Sequence, residues 1–235
     1  MVDLGSTVFN LAVDGVDASQ LEILSNSLFD EWEAYVDQSL MLPDYSLFLQ
    51  VEEGSIIGQG KIMTGAKALV IGITAYGGLM SGVDIINKQV KATSSFLAEH
   101  AQSTFACTES QATVRKKGGV PAALQRLFAR VQRGELTPDE ASILAKSLMD
   151  GEEPEVTGFF ESLSNAFRDC QRHPQQEQLP FDELIEGKPT ELATGSKAPK
   201  SPKRRSPDLP PPLHYRVEVW RESKGKRKQT KVTIL

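Results

Sequence analysis

The sequence predicts an α+β fold made of four parts. These are a small β-α-β-β-α N-terminal domain over 1–107, a three-helix segment over 108–172, a largely disordered Pro/Lys-rich linker over 173–213 and a basic C-terminal β-hairpin over 214–235. Three observations carry this reading. Alternating apolar residues near the N-terminus are interleaved with stretches at helical spacing. Well-capped short amphipathic segments follow in the middle of the chain. The charge then reverses: residues 1–187 hold 13 Lys/Arg against 27 Asp/Glu, whereas residues 188–235 hold 13 against 4 and include 7 of the 13 prolines.

Taken in order, Thr7–Val13 alternates as a strand and Asp14-Gly15 ends it. Asp17 is placed to cap a helix, with Gln20 three residues on as its capping-box partner. Leu21, Leu24, Leu28, Trp32 and Val36 form the helix's apolar stripe, Glu22, Asp30, Glu33 and Asp37 its acidic face, and Pro43-Asp44 breaks it. Tyr45–Val51 and Ser55–Met63 flank a turn in which Gly54 supplies a positive φ. A single long apolar helix is expected over about 66–98, buried on most of its circumference. Residues 101–118 read as a polar connector ending in Arg115-Lys116-Lys117-Gly118-Gly119.

Pro121 opens the next helix at a first helical position, and Gly134 ends it. Thr137-Pro138-Asp139-Glu140 opens another, with Thr137 as N-cap and Glu140 as the returning carboxylate. Gly151 and Pro154 stop that helix, and a third carries Val156, Phe159, Phe160, Leu163, Ala166 and Phe167. Leu127–Met149, with its helix, glycine turn, Thr cap and second helix, resembles short helical-hairpin modules found near the ends of bacterial proteins; no function is carried over from that resemblance. Residues 187–213 have too few apolar side chains to fold alone. Beyond them, His214–Glu222 alternates with Tyr215, Val217 and Val219 on one face, and Lys228–Leu235 has strand character. An isolated hairpin is marginal in water, so this one needs a surface to dock on.

Composition bounds function. Forty per cent apolar and 24 per cent charged residues are ordinary for a soluble globular protein. Cys107 and Cys170 make no disulfide framework and no CxxC pair. The N-terminus lacks the basic and apolar regions of a signal peptide, so a cytoplasmic location is expected. The uncharged run 68–83 is shorter than the about 20 residues a spanning helix needs, and glycines dilute it. Insertion or peripheral anchoring through it is the membrane-associated alternative.

No reaction signature emerges. Gly54, Gly58, Gly60 and Gly65 precede a helix, but Ser55 and Ile62 stand where a phosphate loop needs Gly and Ser/Thr, and Met63 occupies the third glycine place of a dinucleotide fingerprint. His100, His173 and His214 have no partners at metal-ligand spacing. Catalytic, cofactor and metal residues are therefore expected to be none, and no small-molecule substrate is evident. Gly78 and Gly82 form a GxxxG pattern suited to close helix packing or an oligomer seam.

The remaining candidates are basic: Lys200, Lys203, Arg204 and Arg205 on the linker, and Lys224, Lys226, Arg227 and Lys228 at the hairpin turn, with Tyr215 and Trp220 as stacking rings. Cations plus rings suit single-stranded nucleic acid. They equally suit an acidic protein surface, including the chain's own body. The expected function is that of a non-enzymatic accessory or adaptor protein. Its acidic body self-associates or binds a protein partner, and its basic end (200–235) docks on an anionic surface, whether the body itself, a protein partner or nucleic acid.

Overall fold

The computed structural model describes residues 1–13, 16–107, 112–149, 157–170 and 214–235. The Asp14-Gly15 strand end, the Gly151, Pro154 and Val156 assignments and the linker, with Lys200, Lys203, Arg204 and Arg205, lie outside them. The described residues all belong to one compact unit. Its elements run β1 (Val2–Leu11), α1 (Ala18–Ser39), β2 (Ser46–Glu52), β3 (Ile56–Thr64), α2 (Ala66–Thr74), α3 (Leu79–Thr104), β4 (Ala112–Gly118), α4 (Val120–Gln132), α5 (Pro138–Ser147), α6 (Thr157–Arg168), β5 (Tyr215–Arg221) and β6 (Gln229–Ile234). The fold is a mixed α+β domain whose strands form one sheet in the order β4-β1-β3-β2-β5-β6. Every neighbouring pair is antiparallel.

Antiparallel sheets can bury one face and leave the other in solvent. Here α1 and α3 cover one face, and each strand alternates accordingly. Phe9, Leu49, Val51, Ile62, Val217 and Val219 point inward and are buried. Trp32 of α1 and Leu97 of α3 crowd over Gly60, where an added Cβ would lie 2.2 Å from the Leu97 side chain. The strand glycines are thus packing sites: at Gly58 a Cβ would lie 1.9 Å from the Phe9 ring. The three-helix segment extends the same core, with Phe128 and Phe167 rings 4.5 Å apart. Asp17 accepts from the Gln20 N–H at 2.8 Å, although no returning bond from the Gln20 side chain is present. The Thr137/Glu140 capping box is complete. The β2–β3 hairpin turns at Gly54 with φ +105°.

Two expectations are corrected. The single helix over 66–98 is two helices, α2 and α3, bent by 112°. Gly77 takes φ +76° at the break, Gly78 is extended as the N-cap of α3, and Gly82 rests against the backbone of Ile73, where a Cβ would lie 2.0 Å from the carbonyl oxygen. The uniform apolar pattern hides this bend because both helices bury their apolar sides. The connector over 101–118 is the end of α3 followed by the edge strand β4. Its charge run resembled a linker, but cations are what exposed edge strands carry to discourage further pairing.

Candidate docking surfaces

The hairpin expected at the C-terminus forms as β5 and β6 and extends the sheet from β2, with Val219 opposite Leu49 and Val217 opposite Val51. Its basic side chains meet the acidic face of α1, a helix with no Lys or Arg. Arg221 is the centre of this contact. Its side chain is only 8% exposed and reaches Glu33 at 2.8 Å, Asp37 at 3.3 Å and the Tyr45 hydroxyl at 3.2 Å. Its guanidinium also lies over the Tyr45 ring, 5.4 Å from the centroid. Tyr45 donates to Asp37. Burial, reinforced by that bond, pushes the Tyr45 hydroxyl well above its ordinary pKa. Burial likewise raises the Glu33 carboxyl, against the pull of Arg221. These buried ion pairs join N-terminal acids to C-terminal bases.

Each candidate within the described residues has a place. The Lys224 backbone N–H donates to Asp44 at 2.8 Å and its ammonium lies 3.9 Å from Asp37. Lys226 pairs with Glu222 at 2.7 Å, and Lys228 with Asp30. Arg227 makes no ion pair among the described residues. Tyr215 is half-buried against the core. Trp220 sits on the sheet face opposite α1 and α3, directly across from Phe48. Gly82 packs on α2, and Gly78 starts α3. His100 lies 2.8 Å from Glu31 and stacks on Phe96.

That outer sheet face is covered by no described element, and sequence reasoning missed it. One cross-strand row runs Lys117, Ser6, Lys61, Phe48, Trp220, Gln229; the next runs Arg115, Val8, Gln59, Gln50, Glu218, Lys231. Lys61, Arg115, Lys117 and Lys231 make no ion pair among the described residues, whereas Arg216 is held by Glu52 at 2.7 Å. The signal was present: the alternation that buries Leu47 and Leu49 turns Phe48 outward, and the one that buries Val217 and Val219 turns out Trp220.

Among the described residues, no group of three or more His, Cys, Asp or Glu could hold a metal ion. No single described helix is long and apolar enough to cross a membrane; the bent pair α2–α3 passes that test only when its halves are taken together. No protein-family model matches this chain, no curated protein matches it in sequence, and no solved structure matches its fold.

Proposed function

We propose that this chain is a non-enzymatic adaptor that holds its own basic hairpin internally and binds single-stranded nucleic acid on the open sheet face. The observation that carries the reading is the Phe48–Trp220 pair with Lys61, Lys117, Arg115 and Lys231 around it. Every base has a π-face to stack, and each such contact is worth about 1–3 kcal/mol. Unpaired lysines and arginines supply the phosphate attraction. The hairpin-turn lysines are poor candidates for this role because carboxylates already engage them.

The test uses full-length protein with a fluorescein-labelled mixed-sequence single strand, read by anisotropy from low to physiological salt. Affinity is expected to fall steeply with salt, and Phe48→Ala and Trp220→Ala are each expected to weaken it at least about five-fold, the lower limit of that stacking contribution. Absence of binding at low salt, or two variants indistinguishable from wild type, overturns the reading. A second reading, contact with an anionic membrane at the α2–α3 bend, is favoured by Ile71 and Met80, which are 48% and 49% exposed there. Flotation with phosphatidylserine vesicles decides it, since Ile71→Ser/Met80→Ser must abolish co-flotation if that contact exists.

A further inference from the structure

A cavity of about 260 Å³ lies between α3, β4 and α4. Three of its lining side chains are cations, Lys91, Lys116 and Arg126, and no carboxylate lines it. None of the three makes an ion pair among the described residues; Lys116 reaches only the Ser95 hydroxyl, at 2.8 Å. Like charges gathered without counter-charge are unfavourable unless something anionic joins them. Ser94 also lines the cavity. It is 6% exposed, and its hydroxyl has no hydrogen-bond partner among the described residues. The buried polar side-chain atoms without a partner among the described residues are those of Ser25, Trp32 and Arg221, so the Ser94 hydroxyl keeps contact with the open space of the cavity and is free to donate there.

The backbone adds to this. The N-terminus of α4 opens on the same cavity through Gly118 and Ala122. Its N-cap is Gly119, which offers no side-chain acceptor, and its first turn holds no acid. Pro121 has no N–H and the Gly119 N–H is taken by the Leu4 carbonyl, so the donor offered to the cavity here is the Ala122 N–H, with the positive end of the helix dipole behind it. We propose that this cavity binds a phosphate group, held by Lys91, Lys116 and Arg126 with Ser94 donating to one oxygen. A carboxylate carries too little charge for three cations, and the volume falls just below the roughly 300–1,000 Å³ of pockets that enclose a whole drug-sized ligand. Lys116 faces the cavity, and its neighbour Lys117 turns to the other face of β4 and begins the row that leads over β1 to Lys61 and Phe48. Three strand spacings of about 4.8 Å separate β4 from β2, so a terminal phosphate in the cavity lies about 14 Å from the first ring. The site itself rests on the cavity alone; its use by a nucleic-acid end rests on the preceding reading.

The experiment titrates the full-length protein with orthophosphate at low ionic strength, with chloride as control, and reads ³¹P line broadening and calorimetric heat. It compares wild type with Lys91→Ala/Arg126→Ala, whose altered side chains are both exposed, so that unchanged circular dichroism is expected. A parallel arm compares 5′-phosphorylated, 3′-phosphorylated and unphosphorylated single strands. Orthophosphate binding weakened at least ten-fold in the variant supports the site. A preference for either phosphorylated strand that disappears in the variant assigns it to a nucleic-acid end; equal affinity for all three strands, with orthophosphate binding intact, assigns it to free phosphate esters. No difference between wild type and variant toward any of these probes overturns it. Phe48→Ala and Trp220→Ala leave orthophosphate binding unchanged, so the failure of the sheet-face reading is separable from failure of the cavity.

Discussion

Replacing Arg221 with Ala removes the side chain that ties β5 to α1. Glu33, whose side chain is 20% exposed, loses its partner at 2.8 Å, and Tyr45 and Asp37 lose a shared donor. Breaking a buried ion pair by deleting one member costs about 3–5 kcal/mol. Two features place this case at the lower limit: Asp37 reaches solvent, and the Arg221 Nε has no partner even in the intact network. A loss of about 3 kcal/mol corresponds to a fall in Tm of about 6–12 °C for a domain of this size. Thermal and urea unfolding followed by circular dichroism measure it.

The pH dependence carries a sign. Burial raises the folded-state pKa of Glu33, so its contribution is most favourable at low pH and is lost as pH rises through the raised value. Deleting Arg221 removes a charge that lowers this pKa, so the folded-state value climbs further. The stability gap between wild type and Arg221→Ala is therefore expected to narrow as pH falls from 7 toward 5. A double-mutant cycle with Glu33→Gln should return a coupling energy of about 1–3 kcal/mol. A cost below about 0.5 kcal/mol for Arg221→Ala, the range of ordinary surface changes, refutes the reasoning.

Two further outcomes follow from packing. Gly82→Ala places its methyl 2.0 Å from a backbone carbonyl that cannot step aside, whereas Gly78→Ala meets only the Ser81 hydroxyl at 3.1 Å; the first is expected to cost more than about 3 kcal/mol and the second under about 1. Equal melting temperatures for the two variants, or a change in molar mass by light scattering without destabilisation, would instead assign the GxxxG pattern to an oligomer seam. A chain truncated at residue 187 lacks β5 and β6, leaves Leu49 and Val51 on an uncovered edge and strips Glu33 of Arg221. It is expected to lose its cooperative melt and its near-ultraviolet circular dichroism, and a synthetic 214–235 peptide added in trans is expected to restore part of both. Retention of the full-length Tm by the truncated chain contradicts this.

Local chemistry was the legible part of the sequence. The Asp17 cap, the Thr137/Glu140 box, the Gly54 turn and the alternation of Val217 and Val219 depend on neighbours within a few residues, and each appears in the structure. Sheet order was not legible, because β2 and β5 pair across about 170 residues and alternation does not name a partner. The bend at Gly77-Gly78 escaped because a glycine pair inside an apolar run fits a close-packed helix as well as a break. β4 escaped because Arg115-Lys116-Lys117 masks the apolar register of Val114, which faces the core opposite Phe9. The open face was half legible: Trp220 stood out, but its significance depends on Phe48 arriving beside it.

Charge counted along the chain and charge arranged in space lead to different partners. The sequence places its excess of cations in the last 48 residues, yet folding sets Arg221, Lys224 and Lys228 against Glu33, Asp37 and Asp30 of α1. Those pairs engage three of the hairpin's cations with the helix, and among the described residues of the hairpin only Arg227 and Lys231 stay without an ion pair. Among the described residues the cations without an ion pair come largely from the acidic half: Lys61, Lys67, Lys91, Arg115, Lys116, Lys117, Arg126 and Lys146. Lys91, Arg115, Lys116, Lys117 and Arg126 gather around β4, while the carboxylates of α1 are spread over the helical layer beside β5. A pI near 5.4 therefore says little about which face meets an anion. Screening confines each charge to roughly 8–10 Å at physiological salt, so a partner at β4 feels the local cations rather than the net charge of the molecule.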